Sequence, residues 1–227
     1  MATKFTWYGH ATLGLETGGY KLVIDPFFSG NPAASTSAEA VEADYLLVSH
    51  GHSDHVGDSI AIAKRTGAMV ISNAEISGWF GGQGLKAHAQ HIGGGFKHPF
   101  GYLKLTLAVH GSALPDGSNG GNPVGFLLTT NDGKKIYMAQ DTGLFGDMKL
   151  IGEEGLDLAV IPIGDNYTMG PDDALRAVKL LQAKVVIPTH YNTWDLLAQD
   201  ANAWAERVQK ETSTKAVVLK PGESYSI

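Results

Sequence analysis

The strongest constraint on the fold is a series of short apolar, β-branched or aromatic segments that are separated by turn residues along most of the chain. Examples are KFTWYG, YKLVID, VGFLLTT and KVVIP. Segments of this length and composition are typical of β-strands. Two of the intervening turns, Gly18-Gly19 and Asn131-Asp132-Gly133, have the composition of hairpin turns. The early part of the chain is therefore predicted to be antiparallel.

Helical patterns lie between the later strands. We predict helices over about 57–66, 74–81, 171–182 and 195–209. Strands that come first and then alternate with helices favour an α/β or α+β fold over a helix bundle. The chain has no internal repeat and no linker, so we predict a single domain over residues 1–227.

Composition limits the chemistry that this chain can perform. The 227 residues include 23 acidic and 17 basic side chains, and the basic ones form no run, so neither a nucleic acid nor a membrane is expected as a partner. Cysteine is absent, which excludes a thiolate metal site and a cysteine nucleophile. No segment has the apolar length of a signal peptide or a membrane span, so a cytoplasmic location is expected. Any metal must be held by nitrogen and oxygen atoms.

The sequence SHGHSDH, which follows the predicted strand DYLLV, is the clearest candidate for a chemical site. His50 and His52 are two residues apart, so in extended backbone their rings point to the same side and can hold one cation. Asp54 and His55 lie on the following turn and can reach a second cation. The alternative is a set of surface histidines at the start of a helix.

Three further residues are candidates to complete a metal site, because each follows an apolar strand. They are His110, Asp141 and His190. Loops at strand ends commonly carry functional residues on a rigid scaffold. Taken singly, His110 could be an ordinary loop histidine and Asp141 could cap the turn that follows it. Together with the SHGHSDH cluster they favour a site with two metal ions.

Six motifs, in order along nearly the whole chain, resemble the metallo-β-lactamase superfamily. They are WYGHAT, VIDPFFSGNP, SHGHSDH, QDTGLF, PIGDNYTMGPDDA and IPTHYNT. More narrowly, they are similar to a small branch of metal-dependent hydrolases related to the ascorbate-6-phosphate lactonases. The resemblance implies a four-layer αββα sandwich with the site at one edge between two sheets.

The resemblance also implies a division of the metal ligands. His50, His52 and His110 would hold one ion, Asp54, His55 and His190 would hold the other, and Asp141 would bridge the two. The chain departs from the expected pattern at Gln140, where relatives are expected to carry glycine. A larger side chain there could shift the carboxylate of Asp141 or narrow the pocket.

Two cations about 3.5–4 Å apart can hold a hydroxide and direct it at a carbonyl or phosphorus atom. No Gly-x-Ser-x-Gly motif offers a protein nucleophile instead. We predict a catalytic role for Asp54, as a proton acceptor and ligand. The WYGHAT resemblance implies that His10, after the first strand, also faces the site in a catalytic role, and the alternative is a buried structural histidine. Asp25 is the first candidate to orient a ligand histidine, and the alternative is a turn aspartate at a strand end. Four more residues could contact substrate or merely pack in loops: Asp165, Tyr167, Tyr191 and Asn192.

These observations favour a dinuclear metallohydrolase that acts on a small ester, lactone or phosphodiester. The ligand set suits Zn first, with Mn, Fe and Ni as alternatives. A metal-binding regulatory or non-catalytic protein of the same fold is the second interpretation, and a nuclease is disfavoured by the acidic composition. His88, His91 and His98 are interpreted as loop histidines. The sequence leaves the substrate and a homo-oligomeric state open.

Overall fold

The computed structural model describes residues 3–227, which form two seven-stranded mixed β-sheets flanked by helices. The first sheet contains β1 (Lys4–Gly9), β2 (Thr12–Thr17), β3 (Tyr20–Ile24), β4 (Tyr45–Leu47), β5 (Met69–Asn73), β6 (Ala87–Gln90) and β14 (Ser224–Ser226). The second contains β7 (Gly95–His98), β8 (Gly101–Leu107), β9 (Val124–Thr130), β10 (Lys135–Met138), β11 (Leu158–Pro162), β12 (Val185–Thr189) and β13 (Lys215–Ala216).

The strand order is β14-β1-β2-β3-β4-β5-β6 in the first sheet and β13-β12-β11-β10-β9-β8-β7 in the second. Both predicted hairpins are confirmed, because β2 pairs antiparallel with β3 and β9 pairs antiparallel with β10. The strands β3, β4 and β5 run parallel, as do β10, β11 and β12. Parallel strands end at the same edge of a sheet, so the residues that follow them are brought together.

The helices are α1 (Ser53–Val56), α2 (Ser59–Thr66), α3 (Ala74–Gly82), α4 (Met148–Gly152), α5 (Pro171–Leu181) and α6 (Ala201–Glu211). The helix predicted over about 57–66 is α2, and Gly57 separates it from α1. Gly57 has a φ of +41°, and a Cβ there would collide with the carbonyl of Pro26. The prediction over about 195–209 is wrong at its start, because only a 3-10 turn forms over Asp195–Leu197 and Asp200 caps α6 by accepting a hydrogen bond from the Ala203 amide.

The main core lies between the two sheets and continues beneath the later helices. Its buried side chains include Leu15 and Ile24 of the first sheet, Phe126 of the second sheet, and Leu175 and Trp204 of α5 and α6. A smaller core packs α2 and α3 against the other face of the first sheet. This is the four-layer αββα arrangement predicted from the sequence. Among residues 3–227, no helix is both long and apolar enough to cross a bilayer.

Candidate metal centre

Four polar residues at or just beyond strand ends have a left-handed backbone. The φ angles are +54° for His10 after β1, +46° for Asp25 after β3, +51° for Gln140 after β10 and +55° for His190 after β12. This conformation costs a residue with a Cβ about 1 kcal/mol. It turns the chain sharply at the sheet edge, and all four side chains are buried there.

The SHGHSDH segment, residues 49–55, lies at the same edge and runs from the loop after β4 into α1. Candidate ligand atoms of His50, His52 and His110 all lie within 4.8 Å of one another. Nε2 of His50 is 3.0 Å from Nδ1 of His52. Two imidazole nitrogens bound to one tetrahedral zinc ion are about 3.3 Å apart, given Zn–N bonds of about 2.0–2.1 Å. The three histidines can therefore hold one cation with little rearrangement.

A second group of candidate ligand atoms, also within 4.8 Å of one another, comes from Asp54, His55, His190 and His10. Oδ2 of Asp141 lies between the two groups. It is 3.0 Å from Nε2 of His190, 3.4 Å from Nε2 of His55 and 3.6 Å from Nε2 of His110. The structure thus brings together all seven residues that the sequence suggested as ligands, and it adds His10 to the second group.

The carboxylate of Asp25 is buried behind this cluster and accepts four hydrogen bonds. Its Oδ2 accepts from Nδ1 of His55 at 2.6 Å, from the Ser49 hydroxyl at 2.5 Å and from Nε2 of Gln140 at 2.6 Å, and its Oδ1 accepts from the Ser49 amide at 2.7 Å. The Ser49 hydroxyl oxygen is in turn 2.9 Å from Nδ1 of His50. Asp25 therefore orients His55 directly and His50 through Ser49.

The side chain of Gln140 points away from the pocket. Its amide nitrogen donates to Asp25 and, at 3.1 Å, to the carbonyl of Ala11. The left-handed φ at this position is one that glycine adopts without strain. In this chain, Gln140 instead contributes a fourth hydrogen bond to Asp25.

Three buried polar atoms of the candidate ligands have no hydrogen-bond partner: Nε2 of His55, Oδ1 of Asp141 and Nδ1 of His190. A buried polar atom without a partner is costly. Because Nδ1 of His55 is held by Asp25 and Nε2 of His190 is directed at Asp141, a cation among these residues would satisfy Nε2 of His55 and Oδ1 of Asp141. The donor set therefore fits a cation.

The electrostatics of the cluster also suit a cation. Burial lowers the pKa of His50 well below its ordinary value, and burial likewise lowers the pKa of His110. Burial raises the pKa of Asp141, but the adjacent imidazoles of His190 and His55 outweigh it and hold that pKa well below the usual range. Near pH 7 His50 and His110 are therefore neutral and Asp141 is ionised, which are the protonation states that metal binding requires. Burial lowers the pKa of His55, but the carboxylates of Asp141 and Asp25 outweigh it and raise that pKa well above its ordinary value, so a cation would displace a proton from this ring.

His10 lies at the rim of the second ligand group and contacts Asp54. Burial lowers the pKa of His10 to about 4, so its ring is neutral near pH 7. Nε2 of the ring lies 3.2 Å from Oδ2 of Asp54, and Nδ1 lies 2.8 Å from the hydroxyl oxygen of Thr193. A neutral ring satisfies both contacts when Nε2–H donates to Asp54 and Nδ1 accepts from Thr193. Burial raises the pKa of Asp54, but the hydrogen bond from His10 and the nearby His55 outweigh burial and hold that pKa below its usual range.

A cavity of about 430 Å³ opens onto the cluster. It is lined by His52, Asp54, His110, Asp141, Tyr167, His190 and Trp194. Of the residues predicted to contact substrate, Tyr167 is therefore at the pocket. Trp194 was missed by the sequence reasoning, although its position four residues after His190 was an available signal.

The other three candidates lie outside that lining. Asp165 is exposed and its carboxylate accepts a hydrogen bond from the next amide, Asn192 accepts one from the Gln199 amide, and Tyr191 is buried against Trp7 with ring centroids 5.1 Å apart. These contacts favour roles in loop structure and packing over contact with substrate. The interpretation of His88, His91 and His98 as loop histidines is wrong for two of them, because His88 lies on β6 and His98 on β7. His91 follows β6, and none of the three belongs to a group of candidate ligands.

The comparisons with known proteins agree with this architecture. Residues 20–191 match the family model described as "Beta-lactamase superfamily domain". A UPF0173 metal-dependent hydrolase of Pelotomaculum thermopropionicum is 49% identical over an alignment 229 positions long, which covers 99% of this chain and 100% of that protein. The structure of Igni18, described as a novel metallo hydrolase from the archaeon Ignicoccus hospitalis, has a TM-score of 0.92 and 35% identity, with 100% of this chain and 99% of that chain covered.

An isothiocyanate hydrolase from Delia radicum gut bacteria shares the fold, with a TM-score of 0.76 at 22% identity, over 99% of this chain and 98% of that chain. The fold and the site define a member of the β-lactamase superfamily, and within it the chain belongs to the UPF0173 metal-dependent hydrolases. It is accordingly a metal-dependent hydrolase.

Proposed function

We propose that this hydrolase is dinuclear and cleaves a small ester, lactone or phosphodiester. His50, His52 and His110 would hold one divalent cation, Asp54, His55 and His190 the other, and Asp141 both, with Zn favoured over Mn, Fe and Ni. The observation that carries the proposal is the pair of buried atoms without a hydrogen-bond partner, Nε2 of His55 and Oδ1 of Asp141, among the candidate ligand atoms. When bound, two such cations supply Lewis acidity and lower the pKa of water toward about 7.

The remaining steps fall to this chain's own residues. Asp54 is ionised and lines the pocket, so its carboxylate can accept a proton from the attacking water and return it to the leaving oxygen. His10 holds Asp54 in place, and Thr193 holds His10. Asp25 fixes the rings of His50 and His55, which leaves their Nε2 atoms directed at the site.

A second candidate reaction is the hydrolysis of an isothiocyanate, which is the reaction named for one structural neighbour. The composition of the pocket favours it as an alternative, because no lysine or arginine lines the cavity among the described residues and isothiocyanates are uncharged. Release of the amine from phenethyl isothiocyanate by the metal-loaded protein would identify this activity.

The main test combines metal analysis with turnover of γ-butyrolactone, p-nitrophenyl acetate and bis(p-nitrophenyl) phosphate. We expect about two metal ions per chain in the wild type. His52→Ala and Asp54→Ala should lose metal and at least about 100-fold in kcat/KM, with unchanged circular dichroism. The matched control is His91→Ala, which removes an exposed histidine outside the site.

Wild-type turnover in both site variants would contradict the proposal, as would saturation at a single metal ion. Two bound ions without turnover of any substrate would favour a non-catalytic metal-binding role instead.

A further inference from the structure

Trp194 is a large aromatic residue that remains 41% exposed at the mouth of the metal-site pocket. Its indole meets the ring of His10 edge to face, with centroids 4.9 Å apart, and lies 6.3 Å from the ring of Phe27. The adjacent Thr193 is held by His10, and the Trp194 carbonyl accepts a hydrogen bond from the Leu197 amide. The indole is therefore supported on one side by packed rings while part of its surface stays open to the cavity.

Tyr167 lines the same cavity and is 54% exposed. It follows Asp165 and Asn166, which both have left-handed φ angles, and its amide donates to the Asp165 carbonyl at 2.5 Å. Within residues 3–227, its ring has no aromatic neighbour. Two exposed aromatic rings that border one pocket form an apolar surface that is available to a ligand.

The charges around the pocket limit what that ligand can carry. The charged side chains that line it are the carboxylates of Asp54 and Asp141, and no lysine or arginine of the described chain joins them. The oxygen of the hydrolysed group would engage the bound cations. A further phosphate or carboxylate on the substrate would have no lysine or arginine of this chain to pair with, so the residues that line the cavity would not recognise an anionic substituent.

We propose that Tyr167 and Trp194 determine specificity by holding a flat apolar group beside the hydrolysed bond, and that the substrate is an uncharged lactone or ester that bears such a group. This inference rests on the proposed hydrolytic function. In the reaction, water adds to the carbonyl carbon, the bond from that carbon to the ester oxygen breaks, and the leaving oxygen takes a proton from the attacking water. A lactone thereby gives a hydroxy acid, with no other reactant.

The test compares three lactones that differ only at one carbon: γ-butyrolactone, its γ-phenyl derivative and its γ-carboxy derivative. For the metal-loaded wild type, we expect kcat/KM to be about 10-fold or more higher for the phenyl lactone than for the carboxy lactone. Trp194→Ala and Tyr167→Ala should each reduce that ratio by about 3- to 10-fold, mainly through KM. The matched control is Leu196→Ala, because Leu196 is 58% exposed in the same turn but does not line the pocket.

Hydrolysis of all three lactones at similar rates would overturn the inference and leave the hydrolytic function standing. If none is hydrolysed, the proposed function fails for lactones, and calorimetric binding of the same compounds decides the inference separately. Binding of the phenyl lactone that is lost in Trp194→Ala supports it. Equal binding of the carboxy lactone, or no binding of the phenyl lactone, overturns it.

Discussion

Replacing Asp25 by asparagine tests how far one buried carboxylate organises both metal sites. The side chain keeps its size but has one acceptor oxygen in place of two. If that oxygen stays on the Ser49 amide, the new NH2 group faces the three donors that now share Oδ2, from Ser49, His55 and Gln140. The Ser49 hydroxyl can rotate to accept from this group, but Nδ1 of His55 loses its acceptor and Nε2 of Gln140 keeps only the carbonyl of Ala11.

The magnitude follows from these lost contacts. A buried donor without an acceptor costs about 1–3 kcal/mol. His55 can escape this cost by moving its proton to Nε2, which removes the lone pair that a cation would use. Loss of such an orienting group weakens metal binding by about 10- to 100-fold, or about 1.4–2.7 kcal/mol. Because Asp25 acts on His50 as well as on His55, we expect both binding steps of Asp25→Asn to weaken, whereas His52→Ala should affect mainly one.

The assay is competitive Zn²⁺ titration against a chromophoric chelator, with the metal-free protein and each variant. Asp44→Asn is the matched control, because Asp44 is also an aspartate at a strand boundary but accepts a hydrogen bond from the Lys21 amide on the exposed surface. If Asp25→Asn binds both Zn²⁺ ions with wild-type affinity, Asp25 does not orient the ligand histidines. If only one of the two Zn²⁺-binding steps is weakened, Asp25 does not act on His50 through Ser49.

Three further outcomes are expected. Gln140→Gly and Gln140→Ala both remove a donor to Asp25, but only glycine relieves the left-handed φ, so urea unfolding should find the glycine variant about 1 kcal/mol more stable than the alanine variant. Burial, together with the nearby His88, lowers the pKa of His98 to about 4 in the folded protein. Below about pH 6.5 the unfolded chain therefore binds a proton at His98 that the folded protein does not bind. The free energy of unfolding should consequently fall more steeply from pH 7 to pH 5 in the wild type than in His98→Phe. Metal content measured after dialysis should fall below about pH 6, because imidazole ligands must be neutral; unchanged content at pH 5 would contradict histidine ligation.

Sequence reasoning succeeded where the signal is local. The spacing of His50, His52, Asp54 and His55 indicated a metal cluster before any fold was known, and the structure places their side chains together. Many of the strands could be predicted for the same reason, because β-branched composition and flanking turn residues are properties of a few neighbouring positions. The single-domain organisation over 1–227 stays a prediction.

Other features depend on contacts between distant segments and could not be derived. Gln140 and Asp25 are 115 positions apart, so nothing near Gln140 indicated that its amide would turn away from the pocket. The short edge strands β6 and β7 contain polar and glycine residues, and their strand conformation comes from pairing with β5 and β8. The start of α6 was misjudged because a hydrogen bond from the Ala203 amide to Asp200 decides it.

The left-handed backbone of His10, Asp25, Gln140 and His190 has a consequence for how such a protein evolves. At each of these positions the backbone alone favours glycine by up to about 1 kcal/mol. Side-chain hydrogen bonds oppose this bias at Asp25, because glycine there would leave buried donors without an acceptor, at about 1–3 kcal/mol for each one left unpaired. Gln140 differs, because it belongs to neither ligand group and supplies a donor, not the shared acceptor. Laboratory evolution for heat resistance is therefore expected to admit glycine at position 140 before it admits glycine at a metal ligand.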